Sequence, residues 1–401
     1  MLFPVIKPAS QARVAITGAG LVSALGIGWR ANAEGFRTGR VAFGPVTLFD
    51  VSRQRAKMAA EVRLAGGAED EDRASQLLML ATKEAWTQAR WNPSDNLSLV
   101  LGTTSGGMSL GEAFYRQAIT TPGQRRGQPT RVLHYQPQRQ ALDLAQEFGF
   151  AGPITIIANA CASGANAIGH AFELVRSGRA ERVLTGGYDA LSHLVFAGFD
   201  SLQALSTTQC RPFDAARDGL SLGEGAAMLC LENLEHARGR GVKILGELAG
   251  YGAASDPHHL TQPDPEGSAA FQAMSAACES AGIAPQQIDY INAHGTGTPL
   301  NDSAEALAIT RLLGNASRLP VSSTKASVGH LLGAAGAIEA VVCLMAISEG
   351  WLPPTATTRA TDALCGFALV REPTRAEPQC VLSNSFGFGG ANAALVLRRC
   401  Q

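Results

Sequence analysis

The stretch Pro153-Ile-Thr-Ile-Ile-Ala-Asn-Ala-Cys161-Ala-Ser-Gly164 constrains the fold of this chain more than any other. Its first five residues form a short β-branched run, which reads as a buried strand. Beyond Cys161 the apolar residues Ala165, Ile168, Phe172 and Val175 recur at helical spacing, and Gly178 supplies a stop. The cysteine therefore stands where a strand ends and a helix begins. Orphan N–H groups and the helix dipole favour a thiolate there, so the thiol pKa is expected to fall from about 8.5 toward 7 or below. Ala162, Ser163, Gly164 and Ala165 are small enough to let a carbonyl approach the sulfur. A buried structural cysteine is the other reading of the same residue.

The same local plan recurs further on. Residues 288–293 read as a strand running into His294-Gly-Thr-Gly-Thr-Pro-Leu-Asn-Asp302. Residues 321–324 read as another, leading through Lys325-Ala-Ser-Val-Gly-His330 into a helix. Both histidines fall at strand ends in glycine-rich loops, where open α/β sheets place their chemistry. A further such element is Val381-Leu-Ser-Asn-Ser-Phe-Gly-Phe-Gly-Gly-Ala-Asn392, whose glycines permit positive φ and close approach to a ligand. One histidine or glycine run of this kind is more often structural; four such elements in one chain point to a site.

Strand signals at 13–17, 98–102, 153–158 and 183–186, then at 243–250, 288–293, 321–324, 380–383 and 393–397, alternate with helical ones. No long linker interrupts them. Val14-Ala-Ile-Thr-Gly-Ala-Gly weakly echoes Leu245-Gly-Glu-Leu-Ala-Gly-Tyr-Gly. With 46% hydrophobic and 17% charged residues, the 401-residue chain has the composition of a soluble protein with a large core. A net charge of −1 gives no electrostatic reason to expect nucleic acid or an anionic membrane. No apolar run reaches the roughly 18 residues of a membrane span, and no signal peptide is expected. The eight cysteines are scattered without CxxC or zinc-ligand spacing, which suits a reducing cytoplasm. Residues 122–131, rich in Gly, Pro, Gln and Arg, read as an exposed loop.

Together, Ala158-Asn-Ala-Cys-Ala-Ser-Gly164, Asn292-Ala-His-Gly-Thr-Gly-Thr298, Ser322-Ser-Thr-Lys-Ala-Ser-Val-Gly-His330 and Asn384-Ser-Phe-Gly-Phe-Gly-Gly390 resemble the elongating β-ketoacyl-acyl-carrier-protein synthases, the ketosynthase II type of the thiolase superfamily. Arg211-Pro-Phe-Asp214, Arg217-Asp-Gly219 and Gly223-Glu-Gly225 extend a resemblance that covers nearly the whole chain. It implies a thiolase-like five-layered αβαβα fold of two pseudo-duplicated α/β halves. Residues 1–242 would carry the nucleophile, and 243–401 both histidines and the glycine-rich gate.

The activity so implied is decarboxylative Claisen condensation of a carrier-bound acyl chain with malonyl-carrier protein, in fatty acid or polyketide-like synthesis. Cys161 would take the acyl group, and its N–H and that of Phe388 would form the oxyanion hole. His294 and His330 would donate from Nε2 to the malonyl thioester oxygen as CO2 leaves. Lys325 and Glu339 would pair to orient His330. Phe388, with Phe386 and Gly389, would gate the malonyl site. Ser105 and Phe199 would line the acyl tunnel, and Thr296 and Thr298 the substrate channel. The route needs no cofactor, and no metal ligand is assigned, although Asn292, Glu339, Asn384 and Ser385 match positions where some relatives hold a structural cation. The expected partners are an acyl carrier protein and a second subunit. That subunit would be a copy docked through the strand beside the nucleophile helix, or a related ketosynthase-like chain.

Two other functions are weighed against this one. A non-catalytic chain-length partner would ordinarily lack the nucleophile, whereas this chain has Cys161 and both histidines. A thiolase would want a second catalytic cysteine near the C-terminus, and the initiating ketosynthases use a His and Asn pair. Asp302 with Glu305 reads as a helix capping box. His258 and His259 resemble a pocket-mouth segment. The carrier-facing surface departs from the family: residues 69–73 are acidic apart from Arg73, and Gln203 replaces an arginine, which leaves Arg125, Arg126 and Arg131 as candidates for carrier recognition.

Overall fold

The computed structural model describes residues 12–64, 72–94, 96–124, 127–314 and 318–400. Five strands form the first half: β1 (Val14–Ser23), β2 (Ser98–Gly102), β3 (Ile154–Ile157), β4 (Arg182–Asp189) and β5 (Gly225–Asn233). They lie in the order β3-β2-β4-β5-β1, the first three parallel and the last two joined antiparallel. The second half repeats this plan with β6 (Gly246–Ser255), β7 (Tyr290–Asn292), β8 (Pro320–Ser322), β9 (Cys380–Phe386) and β10 (Ala391–Arg398). Its order is β8-β7-β9-β10-β6, with the same parallel and antiparallel pairings. The halves join where β1 and β6 pair antiparallel, Ile16 opposite Gly246. These two first strands carry the weak internal echo in the sequence.

Alternation along the strands sorts their side chains into three cores. Leu99, Leu101 and Leu184 pack outward against Leu77, Leu78 and Ala81 of helix α1 (Arg73–Ala89). Helices α2 (Met108–Thr120) and α3 (Gln128–Tyr135) follow β2. Val100, Val183, Val381 and Leu395 face the central layer, made by α4 (Ser163–Arg176) and, later in the chain, by the helix at Ala335–Glu349. After α5 (His193–Ser201), the outer face of the second half is covered by α6 (Ser268–Ala281) and α7 (Pro299–Leu313). There Ile291, Leu382 and Val396 meet Met274 and Ile309. Helix α8 (Ala335–Glu349) completes the αβαβα stack.

Two expectations change here. The segment Leu332–Glu349 is, by length and composition, apolar enough to cross a membrane, contrary to the reading that no such run exists. It is 89% buried between the sheets, because a helix sandwiched by two apolar sheet faces must be apolar all round. The loop expected at 122–131 gives way to helix from Gln128, since Pro129 in a first turn costs no hydrogen bond.

Candidate active site

Cys161 lies in a tight 3-10 turn, Ala160–Ala162, immediately ahead of α4. The turn is held in a strained form: Ala160 has φ +56°, rarely adopted by a residue with a side chain. Ser163 Oγ accepts from Asn159 N–H (2.9 Å) and donates to the Ala160 carbonyl (2.6 Å), and Thr104 Oγ1 donates to that carbonyl too (3.0 Å). The thiol is buried, and burial pushes its pKa up to about 11, opposite to the lowering expected from the helix terminus. The charge of Lys325 and the N–H groups of Phe388 and Cys161 itself pull it back down without outweighing the dry surroundings. A sequence reveals a helix terminus, but not how completely other segments exclude water from it.

His294 follows β7, and His330 follows β8 and the short helical turn Lys325–Val328. Their rings meet edge to face, centroids 5.2 Å apart. Both are buried, and desolvation followed by the charge of Lys325 holds both well below the usual imidazole range, so they are neutral. The Lys325 ammonium donates to Glu339 and, over 3.3 Å, to His294 Nδ1. An acceptor at Nδ1 leaves the ring proton on Nε2. The lysine and glutamate therefore orient His294, not His330 as expected. His330 Nδ1 has no hydrogen-bond partner among the described residues.

Asp302 and Glu305 do not form a capping box. Thr298 stands at the N-cap position of α7 without a side-chain cap bond, and both carboxylates lie inside the helix and point back at the histidine loop. Glu305 accepts from the N–H groups of His294 and Gly295 (2.8 Å each) and from the Asn384 amide (3.0 Å). Asp302 accepts from the N–H groups of Phe213 (2.7 Å) and Thr296 (3.0 Å) and from Gly297 N–H. They fix a loop whose Gly297 sits at φ +82°. The spacing that suggested a cap also suits two carboxylates reaching back to the preceding loop, which only the packing of α7 distinguishes.

A cavity of about 350 Å³ gathers Cys161, His294, His330, Thr296, Thr298, Phe199, Phe386 and Phe388 in its walls, with His259 at its mouth. Phe388 stacks on Phe199 (centroids 5.7 Å, planes 20° apart) and is among the more exposed aromatic residues. A side chain at Gly387 would come within 3.2 Å of Cys161 N, so the backbone of this loop rests directly on the Cys161 turn. Gly389 (φ +79°) does not line the cavity; its N–H donates to the Leu260 carbonyl (2.7 Å). Lys325 acts from behind His294. Ser105 is not in the wall either: its hydroxyl donates to Asp189 Oδ1 (2.8 Å), so it is a paired group rather than a gap in an acyl tunnel.

Asn292 Oδ1, Glu339 Oε2, Asn384 Oδ1 and Ser385 Oγ are buried without a hydrogen-bond partner among the described residues. Oxygen is the donor type a hard cation takes, but the four do not surround one point: Asn384 and Ser385 are neighbours on β9 and face opposite ways, the Asn384 amide donating to Glu305 while Ser385 Oγ lies against Gly336 of α8. Residues 69–71, Arg125 and Arg126 lie outside the described residues. Arg73 is turned inward onto Glu224 (2.8 Å) and is not a surface cation.

Residues 11–237 match the family model of the β-ketoacyl synthase N-terminal domain, and 245–359 that of the C-terminal domain. A 3-oxoacyl-[acyl-carrier-protein] synthase 2 of Staphylococcus aureus is 37% identical over 97% of this chain and 99% of its own length. Among solved structures, the ishigamide ketosynthase/chain length factor superposes with TM-score 0.92 at 32% identity, covering 98% of this chain and all of that one. A type II polyketide ketosynthase, solved with its acyl-carrier protein and a bound hexaketide, superposes at 0.89 with 28% identity over 97% of this chain and all of that one. With the Cys161 turn, two neutral histidines and the glycine-rich Phe388 loop in one cavity, and with family models and a 37% identical relative matching nearly its whole length, this chain belongs to the β-ketoacyl synthase family.

Proposed function

We propose that this chain is a decarboxylating condensing enzyme, joining an acyl group to a malonyl unit, both presented as carrier-protein thioesters. The observation that carries this reading is the convergence of Cys161, His294 and His330 on one cavity. In the first step the Cys161 sulfur attacks the acyl thioester carbonyl. The carrier sulfur departs with the thiol proton, leaving an acyl-cysteine. The tetrahedral oxyanion would be held by the N–H groups of Cys161 and Phe388, both of which already bear on the sulfur. In the second step the malonyl carboxylate leaves as CO2, and its electron pair forms an enolate. His294 and His330 donate to the enolate oxygen. Because burial keeps them neutral, they stabilise charge without exchanging a proton. The carbanion attacks the acyl carbon, and the Cys161 thiolate leaves.

The carrier partner is supported by the relative solved with its own acyl-carrier protein. A second subunit is supported by β3, an edge strand whose four residues are all half-buried, and by Tyr115, Ile119, Leu133 and Leu194, large apolar side chains exposed on α2, α3 and α5. A copy of the chain and a related ketosynthase-like subunit both fit; sedimentation alone and with a co-expressed partner separates them. No disulfide joins any of the eight cysteines, in keeping with a reducing cytoplasm. Incubation with an acyl-carrier thioester followed by mass spectrometry tests the reaction. An acyl adduct on Cys161 is expected, and its absence sinks the proposal.

A further inference from the structure

Asp189 ends β4, is fully buried, and nothing in the condensation chemistry uses it. Its carboxylate collects an unusual number of donors. Oδ1 accepts from Thr103 Oγ1 (2.8 Å), Ser105 N–H and Oγ (2.8 Å each) and Gly106 N–H (3.1 Å). Oδ2 accepts from Thr104 N–H (2.9 Å) and Gly333 N–H (2.6 Å). The two oxygens therefore serve different segments. Oδ1 shapes the loop after β2. Oδ2 reaches toward the chemistry from both sides. Thr104, anchored by its N–H, uses its hydroxyl to hold the carbonyl of Ala160, the strained residue before Cys161. Gly333, anchored likewise, lies three residues after His330 and follows Leu332, another residue at positive φ (+52°).

Close packing leaves this arrangement little slack. A side chain at Gly333 would come within 2.6 Å of Thr103 C and Thr104 N and within 2.7 Å of Asp189 Oδ2. One at Gly187, two residues before Asp189, would come within 2.7 Å of the Gly333 carbonyl. Two backbone turns, each with a non-glycine residue at positive φ, are thus tied to one buried carboxylate.

We infer that Asp189 is a positioning residue, whose carboxylate sets the placement of the Cys161 turn through Thr104 and of the His330 turn through Gly333. This rests on reading Cys161 as the nucleophile. Asp189→Asn is the discriminating change. With the amide oxygen in the Oδ1 place, four donors stay satisfied. The amide nitrogen then faces the N–H groups of Thr104 and Gly333, so only the two anchors toward the site are lost. Thr104→Val, at an exposed side chain, removes the tie to Ala160 and leaves the carboxylate intact.

Three measurements on each purified variant settle it: kcat and KM for condensation, melting temperature, and the pH dependence of Cys161 alkylation by iodoacetamide. Asp189→Asn is expected to lower kcat about a hundredfold with KM nearly unchanged. Its alkylation profile should move to lower pH, because the carboxylate is one of the influences that raise the thiol. Thr104→Val is expected to lower kcat about tenfold at wild-type melting temperature, with the alkylation profile unmoved. Wild-type kcat in both variants overturns the inference. So does an Asp189→Asn enzyme whose kcat falls only in step with its melting temperature while its alkylation profile stays put. Alkylation needs no knowledge of the substrate, so failure here is distinct from a wild-type enzyme that forms no acyl adduct.

Discussion

Replacing Lys325 by methionine keeps the length and apolar stem of a fully buried side chain and removes only its ammonium. That group does three things at once. It pairs with Glu339, whose carboxyl burial has already pushed up to about 7. It donates to His294 Nδ1, fixing the proton on Nε2. Its charge also lowers the pKa of Cys161, His294 and His330. Without it, the Nδ1–H tautomer of His294 becomes accessible, and that tautomer offers the enolate no donor. Losing one preorganised oxyanion donor costs about 10²- to 10³-fold in kcat. Breaking a buried ion pair from one side costs about 3–5 kcal/mol of stability, reduced here because an unpaired Glu339 takes up a proton. Kinetics of condensation, with calorimetry as a control, separate the two effects. Cys161 alkylation should move to higher pH, the reverse of the shift expected for Asp189→Asn. A Lys325→Met enzyme with kcat within about threefold of wild type would refute the tautomer argument.

Phe388→Ala removes the ring stacked on Phe199 but keeps the backbone N–H. It should loosen the order of the half-reactions rather than abolish condensation, seen as malonyl decarboxylation by unacylated enzyme; strictly ordered half-reactions in the variant would rule out the gate. The two histidines bind fewer protons folded than unfolded, because their folded pKa values are depressed. Stability should therefore hold above about pH 6.5 and fall as pH drops below it, measured by chemical denaturation; a flat response from pH 7 to 5 speaks against neutral buried rings. The cavity mouth carries Leu202 (57% exposed), Leu260 (73%) and Leu300 (53%), and among the described residues no Lys or Arg lines it. KM for the acyl-carrier substrate should change less than about threefold between about 0.05 and 0.5 M salt, and Leu260→Ser should raise it; a steep salt dependence would place recognition on cations elsewhere.

The local signals held wherever chemistry and backbone coincide. A β-branched run before Cys161, and glycines around His294, His330 and Phe388, mark strand ends and tight turns regardless of context, and these turns converge on one cavity. The sequence also carried the faint echo between the strands that open the two halves. What it misread were relations across the fold. Lys325 pairs with His294 through space over 31 positions, although His330 is its near neighbour in the chain. Asp302 and Glu305 look like a cap until α7 is seen to turn both carboxylates back on the loop. Ser105 looks like a missing aliphatic wall until Asp189 is found beside it.

By itself, then, the order of residues determined which segments become strands, helices and glycine turns, and which side chains could serve as nucleophile and proton donors, because those properties are set within a few residues. Packing alone decided the protonation of Cys161 and the histidines, the partner of each buried charge and the role of Asp189. Desolvation and hydrogen bonding depend on what other segments bring within a few ångströms, and no short stretch of sequence contains that.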